Sequence, residues 1–212
     1  MTDVSKTGIA LDDVYGLRFW PALPAALVTT ADVDGNSSIA LVSIVTFQAY
    51  ANIGPDPSPS DKLISIAIGD YVSPDNRRSK RTYKNAVDTG EFVVNFASMS
   101  HLSSAHATLQ PVADKFAASG FTPEPSQEVR APSIAECPLN FECELVKVDD
   151  TGAMTEILWG KVVAARIADH LQDLDGPELL AALDPIYNYS FGPRDGTYHR
   201  IGPQVKLGET DE

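Results

Sequence analysis

Apolar and β-branched residues recur along this chain in short runs separated by glycine, proline and acidic clusters. The runs AALVTT (25–30) and SIALVSIVTF (38–47) flank DVDGN, and Asp34-Gly35 between two such runs predicts a hairpin. LISIAIG (63–69) is apolar almost throughout, which predicts a strand buried on both faces. EFVVNF (91–96) predicts another strand, and LNFECELVKV (139–148) with TEILWGKVVAARI (155–167) predicts a second hairpin across DDTGA. The helical signals are shorter. Asp75 or Ser79 is placed to cap a helix through Lys80, Thr82, Asn85 and Val87, with Thr89-Gly90 as its stop. HLSSAHATLQ (101–110), DKFAASG (114–120, ended by Gly120) and PELLAAL (177–183) predict three more helices. ANIGPDPSPSDK (51–62) and TPEPSQEVRAPSIAECP (122–138) read as proline-punctuated connections. The stretch 185–212 is rich in Gly, Pro and Tyr and is expected to order only where it packs on something.

About six strands in hairpin order, with helices inserted between them, do not form a βαβ alternation. The pattern favours an antiparallel β-barrel over a doubly wound sheet, so the fold class is mainly β (α+β). No internal repeat and no domain boundary stand out.

Composition narrows the function classes. At 212 residues, 43% of them hydrophobic and 21% charged, the chain has material for a substantial core. No apolar run approaches the ~18 residues that would cross a bilayer as a helix. The N-terminus lacks the basic-then-apolar order of a secretory signal, and the expectation is a soluble, cytoplasmic protein. The two cysteines, Cys137 and Cys143, suit neither a zinc site nor a disulfide framework and read as buried thiols. A net charge of −13 argues against nucleic acid as a partner, because a phosphate backbone demands a basic face.

Against that acidic background one segment stands apart. NRRSKRTYKN (76–85) holds Arg77, Arg78, Lys80, Arg81 and Lys84, five of the chain's 16 basic residues, with the hydroxyls of Ser79 and Thr82 between them. Guanidinium forks, ammonium groups, hydroxyl donors and the free N–H groups of a helix start together suit a phosphate dianion. On a helix starting near Ser79, Arg78 and Thr82 would face one ligand, with Lys80 on a neighbouring angle. On charge alone, a solvated helix face paired with acids explains the segment slightly better. Neither a G-x-G-x-x-G nor a P-loop pattern occurs, which leaves a mononucleotide held by a basic turn as the open alternative.

The order of these segments resembles the flavin reductase-like family of the FMN-binding split-barrel superfamily. The resemblance runs from about Leu23 to Gly202. It is carried by PAALVTTADVDGNSSIALVSIVTF, SIAIG, RRSKRTYKN, TGEFVVNF, DKFAASGFTPEPS, PSIAECPLNFECEL, WGKVV and GTYHRIG. It implies an antiparallel Greek-key split β-barrel with inserted short helices over 21–203, an N-terminal arm (1–20) and a flexible C-terminal tail (204–212). It also implies FMN lying along Ser43, Ile44, Val45 and Thr46. The phosphate would then fall to Arg78, Ser79, Lys80 and Thr82, with Arg77 and Asn85 nearby. This chain has Arg81 where the family usually has an acid, and GDYVSPDN before the segment is longer than usual, which unsettles the placement of Ser73.

The function so implied is an NAD(P)H-dependent FMN reductase acting on a small-molecule substrate, with NADH or NADPH as hydride donor. Tyr198 and His199 in GTYHRIG would border the nicotinamide, although ordinary packing explains Tyr198 equally well. No catalytic acid–base residue and no metal are expected, because a flavin carries its own redox chemistry. Such a reductase could serve an oxygenase partner as the reductase component of a two-component monooxygenase. Two readings stand beside this one. The protein could act as an FMN-dependent oxidase or reductase of another small substrate. It could also store or sense flavin without turnover. The family implies a homodimer, and Ile186, Tyr187, Tyr189 and Phe191 supply apolar surface for one. His101 and His106 are expected to be satisfied or exposed rather than metal ligands. Trp20 and Trp159 are expected in the core or an interface, and Glu142 and Glu144 on the outward face of a half-buried strand.

Overall fold

The computed structural model describes residues 23–43, 45–48, 62–69, 80–150, 155–188 and 197–203. Ile44, Arg77, Arg78, Ser79, Asp75, Trp20 and the two terminal segments lie outside them, as do most of the 51–62 connection and the centre of the second hairpin loop.

The predicted strands form, with one informative difference. The second apolar run is not one strand but two, β3 (Ser37–Val42) and β4 (Val45–Gln48). Strand β3 pairs with β2 (Ala26–Ala31), whereas β4 pairs with β5 (Leu63–Gly69). With β6 (Glu91–Phe96), β9 (Leu139–Asp150) and β10 (Thr155–Ile167), they make a seven-stranded antiparallel sheet in the order β3-β2-β6-β9-β10-β5-β4. The two edge strands are therefore consecutive in the chain. Laid flat, six inter-strand intervals at about 4.8 Å would part those edges by roughly 29 Å. The three steps from Val42 to Val45 reach at most about 11 Å. The sheet must curl until its edges meet, which makes a split barrel with its seam at residues 43–44.

The interior follows from the strand patterns. Val28, Ile64, Ile66, Phe92, Val94 and Leu158 are fully buried in the barrel. The opposite face of β2 and β3 contributes Leu27 and Ile39 to a second cluster with Phe116, Phe121, Ile134 and Ile186, so β2 is buried on both faces. Ile186 is thus buried within its own chain rather than offered to a neighbour. Gly160 shows how tightly the barrel is filled: a Cβ there would stand 2.8 Å from Cys143 Cβ and closer still to the Phe92 ring. No larger residue fits without displacing Phe92.

Asn95 knits four segments together in the interior. Its side-chain N–H groups donate to Leu27 O (3.0 Å) and Thr29 Oγ1 (3.1 Å). Its Oδ1 accepts from Ile134 N (3.1 Å) and Asn140 Nδ2 (2.9 Å). Thr29 in turn donates to Pro132 O. Strand β9 departs from simple alternation. Glu142 and Cys143 are both fully buried, and only Glu144 of the two acids is exposed. The Glu142 carboxylate accepts from Gln127 N (2.9 Å) and Glu128 N (2.7 Å), clamping the 122–138 connection onto the barrel. That connection is not wholly irregular, because β7 (Pro123–Glu124) and β8 (Ser133–Ile134) pair within it.

The helices are α1 (Arg81–Thr89), α2 (Leu102–Ala107), α3 (Lys115–Ser119) and α4 (Gly176–Leu183). Gly90 and Gly120 end α1 and α3 in the left-handed conformation, as their positions predict. The turn Met99–His101 is 3-10, so the helix expected over 101–110 is shorter and ends at Ala107. A small separate sheet ties β1 (Leu23–Pro24) to β11 (Tyr187–Asn188) and β12 (Tyr198–His199).

Candidate functional site

Helix α1 packs on β2, β3 and β6, and β3 is the strand that leads into the seam. Buried Asn85 holds the helix there, donating from Nδ2 to Thr30 Oγ1 of β2 at 3.1 Å. Asn85, expected near the phosphate, makes this tether with its side-chain amide. Thr82 and Ala86 share the buried face of the helix.

The cap predicted for α1 is corrected by the structure. Lys80 is the N-cap residue, in an extended conformation (φ −58°, ψ 130°), and its own side chain does not cap the first turn, while Asp75 and Ser79 lie outside the described residues. Ordinary sequences place Ser, Thr, Asp or Asn there to take the free N–H groups. Here the first turn carries no acid either, and Lys80 and Arg81 are exposed at it. A helix start of this kind carries partial positive charge and favours an anion. Arg81 bends back, donating from Nη1 to Ala113 O at 2.7 Å, so the residue that departs from the usual acid ties the 110–114 turn to α1.

At the seam, Ser43 is half-buried and its Oγ accepts from Asn188 Nδ2 at 2.7 Å. Asn188 is itself buried and paired through β11 with both β1 and β12. The C-terminal segment thereby reaches the strand junction, a link that no local signal in the sequence suggests. Val45 points into the core and can offer a ligand only its backbone. Thr46 is exposed, its Oγ1 within 2.6 Å of Ser65 Oγ on β5. Phe47 is 45% exposed, stacked on Phe96 and edge-on to Phe141. Beside it opens a groove of about 410 Å³, bounded by Phe47, Lys62, Leu63, Phe141 and residues 162–165 of β10.

Tyr198 is half-buried, with its hydroxyl 2.8 Å from His106 Nδ1 and its ring edge-on to the imidazole. His199 is exposed and pairs with Tyr187 through the backbone. His101 lies against Phe121. Among the described residues no His, Cys, Asp and Glu side chains gather as a metal site. Both cysteines are free and buried, and burial, followed by the Glu142 charge, pushes the Cys143 thiol up to about 12. Burial also raises the Cys137 thiol.

The profile of the flavin reductase-like domain matches residues 22–184. The chain belongs to that family. The match covers the seven-stranded barrel, the helices and the start of α1 alike. Among relatives, an uncharacterized protein of Aquifex aeolicus is 31% identical over 167 residues, spanning 76% of this chain and 79% of its own length. Among solved structures, nitrilotriacetate monooxygenase component B from Bacillus cereus superposes with a TM-score of 0.74 at 24% identity, over 98% of each chain. A split barrel domain protein of Shewanella frigidimarina superposes with a TM-score of 0.69 at 25% identity, over 88% of this chain and 85% of its own. The family is one of oxidoreductases, and the split barrel deduced from strand order is its fold. Among the described residues no helix is long and apolar enough to cross a membrane.

Proposed function

We propose that this flavin reductase-like chain binds FMN and reduces it with NADH or NADPH. The observation that carries the reading is the start of α1. Its first turn is free of acids, Lys80 and Arg81 are exposed at it, and the helix packs on β3, the strand that leads into the seam. A phosphate at that helix start would meet backbone N–H groups and an ammonium. Arg77, Arg78, Ser79 and Thr82 are assigned to the same phosphate. The isoalloxazine is assigned to the seam residues Ser43, Ile44, Val45 and Thr46.

Bound FMN would supply the redox chemistry, accepting a hydride from the nicotinamide. The chain's own residues bind and orient. The amide of Asn188 donates to Ser43, so the Ser43 hydroxyl must aim its own hydrogen elsewhere and can donate to a ligand at the seam. His106 likewise holds Tyr198, which together with His199 is assigned to the nicotinamide side. We assign the chain to a homodimer whose partner covers the aromatic groove at Phe47, where an exposed ring and an apolar wall favour burial.

The test is anaerobic. The purified protein with FMN is mixed with NADH or NADPH, and the flavin absorbance is followed. Bleaching faster than that of free FMN supports the reductase. Bound flavin that neither nicotinamide reduces faster than free FMN would instead favour flavin storage. A protein that ignores added FMN would overturn the reading.

A further inference from the structure

We infer that Ser65 and Asn188 are positioning residues of the seam: they commit the hydroxyls of Thr46 and Ser43 to donate outward, and two such donors favour reduced over oxidised flavin. The inference rests on the FMN reading above and deepens it with Ser65, a residue of β5 that the reading does not assign.

Strand register sets the first pair. Thr46 of the edge strand β4 stands directly across from Ser65, and their side-chain oxygens are 2.6 Å apart. One hydroxyl donates and the other accepts, and burial decides which. Ser65 is 7% exposed, and among the described residues its hydroxyl bonds only to that of Thr46. If Thr46 donated, the Ser65 hydrogen would be stranded in a buried position without an acceptor, which costs more than such a bond contributes. Ser65 therefore donates. Thr46, which is exposed, keeps its own hydrogen to offer outward.

Ser43 reaches the same state by another route. Its Oγ accepts from Asn188 Nδ2 at 2.7 Å, and Asn188 is only 1% exposed. Val42 and Val45 are buried in the core, and the residue after each, Ser43 and then Thr46, carries the hydroxyl. The seam thus presents two hydroxyl donors, each fixed by a distant part of the chain: Ser65 lies 19 positions from Thr46, and Asn188 lies 145 from Ser43. When a nicotinamide gives up a hydride, two electrons and one proton pass to the flavin and the nicotinamide is left oxidised. The added electron density collects on ring nitrogens and carbonyl oxygens, which then accept hydrogen bonds more strongly. Donors committed by the protein therefore hold the reduced ring more tightly than the oxidised one. A cross-strand Thr–Ser bond with a purely structural role would stabilise the sheet and leave that preference unmoved.

The full-length protein is loaded with FMN, and the midpoint potential of the bound flavin is measured against a reference dye, with dithionite as reductant and no nicotinamide. Compared with free FMN, the midpoint gives the ratio of affinities for reduced and oxidised flavin. Thr46→Val is expected to lower this ratio about 10-fold, the effect of one hydrogen bond, which is about 30 mV for a two-electron couple. Ser65→Ala should lower it about 3-fold, because Thr46 keeps its hydroxyl but loses the partner that directs it. Added to Thr46→Val, Ser65→Ala should change nothing further. Thr46→Ser should keep most of the wild-type ratio. Ser65→Cys, a weak donor of similar size, gives a second reading should Ser65→Ala melt early. A Ser65→Ala protein with an unchanged ratio overturns the inference, whether or not its stability falls. So does a Ser65→Ala effect that persists beside Thr46→Val, or a ratio that rises in Thr46→Val. A wild-type protein that binds no FMN overturns the FMN reading itself, and the assignment with it.

Discussion

The surroundings of Asn95 and the start of α1 are both rich in polar groups, but they are completed in opposite ways. Around Asn95, the side-chain hydrogen bonds end within the same chain, on β2, the β8 segment, β9 and Val93 O of its own strand. At α1, the first turn carries no acid, and Lys80 and Arg81 are exposed at it. The first arrangement is finished by folding and specifies strand register. The second presents exposed positive side chains at a helix start, where a group from outside can meet them. Internal completion marks a structural polar network, and its absence marks a candidate site.

The largest expected effect falls on the finished region. Asn95→Leu removes the acceptor for Ile134 N and Asn140 Nδ2 and strands those groups in the interior, at a cost of about 3 kcal/mol. Urea unfolding should show that loss, whereas flavin affinity per folded molecule should hold. A loss under about 0.5 kcal/mol would break the contrast.

The open region should behave in reverse. Arg78→Ala combined with Lys80→Ala is expected to weaken FMN binding about 100-fold, while stability stays within about 0.5 kcal/mol. If the double variant unfolds early yet binds flavin normally, the segment is structural and the comparison fails.

The smallest effect is expected at the thiols. With Cys143 pushed up to about 12 and Cys137 also raised, neither forms thiolate at pH 8. A thiol reagent should leave native protein unlabelled at that pH and modify both cysteines once the chain is denatured. Rapid labelling in the native state would show that one of these sites opens to solvent.

Much of this was legible in the chain itself. Runs of β-branched and apolar residues located the strands, Gly90 and Gly120 marked helix ends, and the basic run at 77–84 singled out a segment against an acidic background. These signals are local: they depend on backbone preferences and on charge within a few residues. The rest depends on contacts between residues far apart in sequence. SIALVSIVTF reads as one strand, because only closure of the sheet requires its break at 43–44 and sends its halves to opposite edges. Glu142 reads as an outward acid, because only the returning 122–138 connection brings the amides that allow its burial. Asn188 meets Ser43 across 145 positions, and Arg81 meets Ala113 across 32. The sequence alone determined which elements form and where positive charge collects. The tertiary structure decided which polar groups, Asn95, Glu142 and Asn188 among them, find partners within the chain, because pairing is settled only when distant segments pack together.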